Sequence, residues 1–212
     1  MEISAIIPAY NEAERIEAVL HPLQQVDSIR QIVVVDDGSN DETAKIAESM
    51  GVNVQRLPIN CGKAAALNVG VRYSNHDVVL FLDADLVGLR SDQVEKLVQT
   101  YFESQADMVV GVFKKGRLNT DLSQTIAPYL SGQRVLSKAL WQRVQQKVDD
   151  MDFGVEIALK KLSLKEGWHE VRVELDGVTH VMKEKKRGLG KGLKDRFKMY
   201  GDIVRSVFTK VG

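Results

Sequence analysis

Short apolar runs alternate with amphipathic stretches through the first half of the chain. SAIIP (4–8), QIVVVDD (31–37), VNVQRL (52–57), DVVLFLD (77–83) and DMVVGVF (107–113) are rich in Val and Ile and predict strands. Between them the pattern is helical. Residues 11–25 place Ile16, Val19, Leu20 and Leu23 on one face, with Asn11 as the N-cap. Residues 41–50 are capped by Asn40 or Asp41 and stopped by Gly51, and residues 63–74 and 91–105 repeat the alternation. Strands that are apolar throughout, each followed by a helix, predict parallel pairing with both sheet faces covered. The fold class is therefore α/β, doubly wound, to about residue 115.

Beyond that point the pattern loosens. Residues 119–144 carry helix signals interrupted by Pro128 and Gly132. VEIALKKLSLKEG (155–167) predicts an amphipathic helix ended by Gly167, and HEVRVEL (169–175) alternates like a half-exposed strand. KEKKRGLGKG (183–192) is a basic bridge to a last amphipathic helix, about 193–209. The expected organisation is one catalytic domain over 1–182, with halves at 1–115 and 116–182, followed by a basic linker and helix over 183–212.

Composition narrows the class. The 212 residues are 44% hydrophobic, ordinary for a globular domain with a sizeable core. A single cysteine, Cys61, excludes an internal disulfide framework and fits a reducing compartment. MEISAIIPAYNE is too short an apolar run, and too soon acidic, for a secretory signal. No stretch reaches the ~18 apolar residues of a bilayer span, so the expected location is cytoplasmic. The 29 basic and 29 acidic side chains cancel overall but not locally: between Val181 and Gly212 stand ten Lys/Arg and three Asp/Glu. A cationic amphipathic helix of this kind suits a packed helix or peripheral contact with a membrane surface. Nucleic acid is not expected, because no aromatic platform is interleaved with the charge.

The chemistry gathers at predicted strand ends, where ligands of parallel sheets bind. Pro8-Ala9-Tyr10-Asn11-Glu12, Asp36-Asp37-Gly38-Ser39, Asn60-Cys61-Gly62-Lys63 and Asp83-Ala84-Asp85 follow the first four strands in turn. One such loop is ordinary turn chemistry; four in succession point to a site. Asp83 and Asp85 flank the small Ala84, a spacing that suits Mg²⁺ or Mn²⁺, cations that take carboxylate oxygens together with substrate phosphates. The bland alternative is a strand cap and a turn acceptor.

IIPAYNE, VVVDDGSNDET, NCGKAAALN and FLDADL, in this order and spacing, resemble the signature of glycosyltransferase family 2 on a GT-A fold. SGQRVLSKALW (131–141), FGVEIAL (153–159) and VTHVMKEKKRG (178–188) are similar to its acceptor-side loop, its acidic catalytic segment and its late histidine. The resemblance implies a nucleotide pocket walled by Pro8, Ala9, Tyr10 and Glu12, with Asp37 accepting from base or ribose. It sets Gly62 and Lys63 near the base or diphosphate. It further implies Asp83 and Ala84 at the ribose, Asp83 and Asp85 on the metal, and His180 as a further metal ligand. The implied donor is a nucleotide sugar, with a UDP-sugar favoured; the acceptor is unidentified, with lipid-linked or phosphorylated compounds in view, and a homodimer is a further option.

An inverting transfer needs a carboxylate to take the acceptor's proton. Asp149, Asp150, Asp152 and Glu156 are candidates; Asp152 and Glu156 share one helical face, and Glu156 sits between apolar Val155 and Ile157. Its structural alternative is a pair with Lys160 at i+4. Many inverting relatives carry Glu-Asp where this chain has Val155-Glu156, which leaves the stereochemistry open. Arg134 would hold an anionic acceptor or the diphosphate, or else cover a helix end. The rival functions are a nucleotide-sugar-binding protein without turnover and a sugar nucleotidyltransferase on a related fold.

Overall fold

The structure is a computed structural model that describes residues 1–113, 131–149 and 154–180. A seven-stranded sheet carries it: β1 (Ile3–Ala9), β2 (Ile29–Asp36), β3 (Asn53–Arg56), β4 (Val78–Phe81), β6 (Met108–Phe113), β7 (Arg134–Ser137) and β8 (Glu170–Leu175). Their spatial order is β3-β2-β1-β4-β7-β6-β8. Pairings are parallel except at β7, which runs antiparallel to both β4 and β6. Two short strands, β5 (Leu86–Val87) and β9 (Thr179–His180), form a separate ribbon. Residues Met1–Thr179 form one compact unit, and the second unit, from His180, lies almost wholly outside the described residues, as does the expected helix at 193–209.

Side-chain alternation along β1 explains why both faces must be covered. Ile3, Ala5, Ile7 and Ala9 join a core with Ile16, Val19 and Leu20 of α1 (Ile16–Leu23) and Val94, Leu97 and Val98 of α4 (Ser91–Ser104). Ile6 faces the other way, into a core with Leu67 and Val71 of α3 (Lys63–Tyr73), Trp141 and Val144 of α5 (Lys138–Asp149), and Leu159 of α6 (Val155–Glu166). With no wet face, the inner strands β1, β4 and β6 read as apolar runs, as predicted, while β8 at the edge alternates. The remaining helix, α2 (Thr43–Ser49), packs Ala47 into the first core.

Two expectations need correction. Asn11 does not cap α1. It sits at φ 56° in the loop after β1, and the helix begins only at Ile16. The segment 119–144 holds a strand as well as a helix: Val135 and Leu136 of β7 are fully buried in mid-sheet, with α5 beginning at the next residue after Ser137. The register sets Phe81 opposite Arg134 and Leu80 opposite Val135. Because β7 runs against its neighbours, its beginning lies where β4 ends. The fold thereby brings Ser131–Arg134 to the edge that carries the aspartates.

Candidate active site

Three loops at the carboxyl ends of β1, β2 and β3 are sewn together by side chains bonding backbone. The Asn11 N–H donates to Ser39 Oγ at 2.9 Å, and the Asn40 N–H donates to Asn11 Oδ1 at 2.9 Å. The Glu12 N–H donates to Thr43 Oγ1 at 2.8 Å, and Asp41 accepts from the Ala13 and Thr43 N–H groups. Burial opposes ionisation of Asp41, but the hydrogen bond from the Thr43 hydroxyl, with those from the Thr43 and Ala13 N–H groups, outweighs it and holds the carboxyl below its ordinary range. Tyr10 is left 43% exposed at the rim, Ala9 is buried beneath it, and Pro8 lies half-buried in β1 opposite Val35. Glu12 is buried and paired with Arg15 at 3.1 Å, so it shapes the wall from behind.

Asp37 is the brace of the third loop. One carboxylate oxygen accepts from the Cys61 N–H at 2.7 Å, the other from the Gly62 N–H at 2.9 Å. Its expected role was direct contact with base or ribose; here both oxygens hold the loop that delivers Lys63. Gly38 permits the approach. It sits at φ +73°, and a Cβ there would fall 2.6 Å from the Ile59 carbonyl carbon.

Lys63 opens α3, an unfavourable place for a cation because the helix dipole is positive there. Its ammonium is compensated from outside the helix. It donates to Asp83 Oδ1 and, at 2.5 Å, to Glu156 Oε1. Burial alone would release the proton, but attraction to Asp83 and Glu156 prevails and raises its proton affinity above that of an ordinary lysine. Glu156 stands in the first turn of α6, where the dipole favours a carboxylate. The i+4 pair with Lys160 does not form: Lys160 is buried and donates to both oxygens of Glu170 at 3.0 Å.

Asp83 has a second donor. Gln133, fully buried, presents Nε2 to Asp83 Oδ2 at 2.9 Å. Gly132 passes so close that a Cβ would lie 2.7 Å from Asp83 Cγ, so any larger residue there would have to displace that carboxylate. Arg134 is not at the rim. It is 2% exposed, and its guanidinium donates to the Ser131 carbonyl at 3.1 Å and the Glu156 carbonyl at 3.3 Å, while Nη1 meets Met108 Sδ at 3.5 Å. From there it fixes the backbone at Ser131 and in the first turn of α6. Burial lowers its proton affinity, opposed by Glu156, Glu170 and Asp83.

The structure thus brings Lys63, Asp83 and Glu156 into direct contact, with Ala84 buried and Asp85 half-buried just beyond. Asp152 lies outside the described residues, and so does the side chain of His180, whose backbone ends β9. Among the described residues no group of three or more His, Cys, Asp or Glu gathers as a metal cluster. The donor set nevertheless fits Mg²⁺ or Mn²⁺. Asp83 and Asp85 offer hard oxygen donors, and Asp83 already bonds a cation, the Lys63 ammonium. Asp149 is drawn elsewhere, accepting from Asn68 Nδ2 at 3.0 Å. His76 lies away from this cluster, only 20% exposed, with Nδ1 2.9 Å from Ser4 Oγ. Gln133 and Ser131 were missed as site residues. Their only signal was membership of the SGQR loop, where the one charged side chain drew notice.

Comparison with known proteins shows the family and the fold. The family model "Glycosyl transferase family 2" matches residues 4–161. The 4,4'-diaponeurosporenoate glycosyltransferase of Staphylococcus haemolyticus (strain JCSC1435) is 36% identical over 109 residues, 49% of this chain and 29% of that protein. Its counterpart in Staphylococcus aureus (strain USA300) is 38% identical over 104 residues, 47% and 28% of the two chains. The chain therefore spans under a third of the length of these curated relatives. Glucosyl-3-phosphoglycerate synthase from Mycobacterium tuberculosis, solved with Mn²⁺, UDP and glucosyl-3-phosphoglycerate, superposes with a TM-score of 0.73 at 23% identity, covering 98% of this chain and 79% of that one. The same enzyme with Mg²⁺ and UDP gives 0.71 at 24%, covering 98% and 78%. That likeness shows the fold, a GT-A arrangement. With three quarters of its length under the family model and the motif loops converging on one sheet edge, the chain belongs to glycosyl transferase family 2.

Proposed function

We propose that this chain transfers a sugar from a nucleoside-diphosphate donor, a UDP-sugar, to an acceptor that is phosphorylated or lipid-linked. The observation that carries the reading is the contact of one ammonium with two carboxylates from distant segments: Asp83, at the donor end, and Glu156, at the acceptor end. Asp83, Asp85 and His180 would hold the divalent cation. When bound, it supplies charge stabilisation to the departing diphosphate. Lys63 exchanges an oxygen of Asp83 for the donor's phosphates or ribose while staying charged. The wall of Pro8, Ala9, Tyr10 and Glu12 receives the nucleotide, with Asp37 and Gly62 fixing the loop beneath it. Glu156 takes the proton of an acceptor hydroxyl as its oxygen attacks the anomeric carbon and the nucleoside diphosphate leaves. Asp152 is the second proposed carboxylate of that end, and Arg134 orders the loop between the two ends.

Support comes from the family membership and from the solved structures, which hold UDP or UDP-glucose with Mn²⁺ or Mg²⁺. The basic segment from Val181 to Gly212 is proposed to lie against an anionic membrane surface, where a lipid-linked acceptor would be found. Among the described residues no helix is long and apolar enough to cross a membrane. A donor screen tests the reading. The protein is incubated with Mn²⁺ and each nucleotide sugar in turn, and released nucleoside diphosphate is measured. Release from one UDP-sugar is expected. Binding of every donor without release would leave a nucleotide-sugar-binding protein instead.

A further inference from the structure

Asp83 could turn freely about its own side-chain bonds were it not clamped, and the clamp is a residue with no assigned role. A carboxylate can only accept, so the Gln133 group facing Asp83 Oδ2 at 2.9 Å must be the amide NH₂. On the amide's other side Gln133 Oε1 lies 2.8 Å from Ser131 Oγ, whose single hydroxyl proton it shares with the Gly111 carbonyl. Ser131 in turn touches the Gly111 carbonyl of β6, and the Gly111 N–H donates to the Gln133 carbonyl at 2.9 Å. Ser131 and Gln133 are 3% and 0% exposed, so water does not compete for these bonds. Among the described residues Asp83 Oδ1, by contrast, meets only the long, rotatable Lys63 ammonium, itself 32% exposed. The two oxygens differ in kind: one is bolted to the sheet and the other faces an exchangeable cation.

We infer that Gln133 is the positioning residue of the donor site, fixing Asp83 through Oδ2 so that Oδ1 alone is presented to the cation or ribose of the donor. This rests on the donor-site reading proposed above. Groups that orient a metal-binding carboxylate typically matter about 10–100-fold in affinity or activity. A neutral amide suits the task, because it holds the oxygen without competing for the charge that must be lent to the ligand. A glutamate in its place would repel Asp83.

The test is Mn²⁺ affinity in the presence of UDP, read from the electron paramagnetic resonance of free Mn²⁺. It is applied to the wild type, Gln133→Met, Asp83→Asn and the double variant. Gln133→Met is expected to weaken Mn²⁺ binding about tenfold or more, and to add less than about twofold in the Asp83→Asn background. A purely structural role would weaken both backgrounds equally, and that result overturns the inference. Should Gln133→Met fail to fold, Gln133→Asn keeps the amide but withdraws it from Asp83, and an unchanged affinity there overturns it as well. Wild-type protein that binds no Mn²⁺ with UDP would remove the donor-site reading itself, and this inference with it. Normal wild-type binding with an unaffected Gln133→Met removes the inference alone.

Discussion

The Lys63 ammonium and the Glu156 carboxylate, 93 residues apart in sequence, meet at 2.5 Å across the end of the sheet. Neither placement is required by local structure. Lys63 opposes the dipole of the helix it opens, and Glu156 forgoes a partner on its own helix. Their meeting ties the first turn of α6 to the first turn of α3.

Removal of Lys63 should therefore cost the free protein more than the loaded one. Lys63→Met leaves Asp83 and Glu156 close together without compensation, a loss of about 1–2 kcal/mol for a pair still partly wet. For a chain of this size that is a fall of roughly 2–8 °C in the unfolding midpoint. Mn²⁺ with UDP should restore most of it in a thermal melt. An equal deficit with and without Mn²⁺ and UDP would separate Lys63 from the cation site.

Glu156→Gln preserves an acceptor for the Lys63 ammonium but cannot take a proton. The unfolding midpoint should stay near the wild type, while the transfer rate to a hydroxyl acceptor falls about 10²–10⁴-fold. Rates would be measured under saturating donor; an unchanged rate excludes Glu156 as the base.

Much of this was legible in the sequence, and the exceptions share a cause. Strands β1, β2, β4 and β6, and helices α2, α3, α4 and α6, follow from periodicity or from their apolar runs, and β3 from the alternation in VNVQRL. β7 is four residues long, runs straight into α5, and begins with a buried arginine, so neither period nor composition marks it. Asn11 has the composition of a cap, but its tertiary partner Ser39 claims it for a loop. Asp83 and Asp85 were found by their position at a strand end, and Glu156 by its place between apolar neighbours in a predicted helix. Gln133 was not, because an uncharged side chain reveals its role only through what it touches.

Asp37→Ala removes both acceptors of the Cys61 and Gly62 N–H groups. Amide exchange across residues 57–62 should accelerate at least tenfold, the equivalent of about 1.4 kcal/mol of local stability. Donor affinity should fall with it. Hydrogen–deuterium exchange with mass spectrometry reports the first, and protection equal to the wild type would contradict the brace.

The Lys160–Glu170 pair sets an acid limit on stability. Burial pushes the Glu170 carboxyl up, but hydrogen bonding and attraction to Lys160 prevail, leaving it below its ordinary value of 4.5. A depressed folded value means the contribution is present above about pH 4.5 and is lost as pH falls through the folded value. Glu170→Gln should therefore be less stable than wild type in urea at pH 7, with the gap closing in acid. A gap that widens on acidification would refute the assignment.

The basic end of the chain gives a separate test. Co-sedimentation with vesicles containing phosphatidylserine should be strong at low salt and weaken as salt rises through the range where the Debye length shrinks to about 8 Å. Truncation after residue 182 should abolish it. Absent or salt-insensitive binding would rule out the membrane contact.

The central claim concerns two aspartates and a cation, and UDP binding measured by calorimetry with Mn²⁺ and again with chelator tests it most directly. The expected result is at least about tenfold tighter binding with Mn²⁺ in the wild type, a difference that vanishes in Asp85→Asn. Equal UDP affinity with Mn²⁺ and with chelator in the wild type would contradict it.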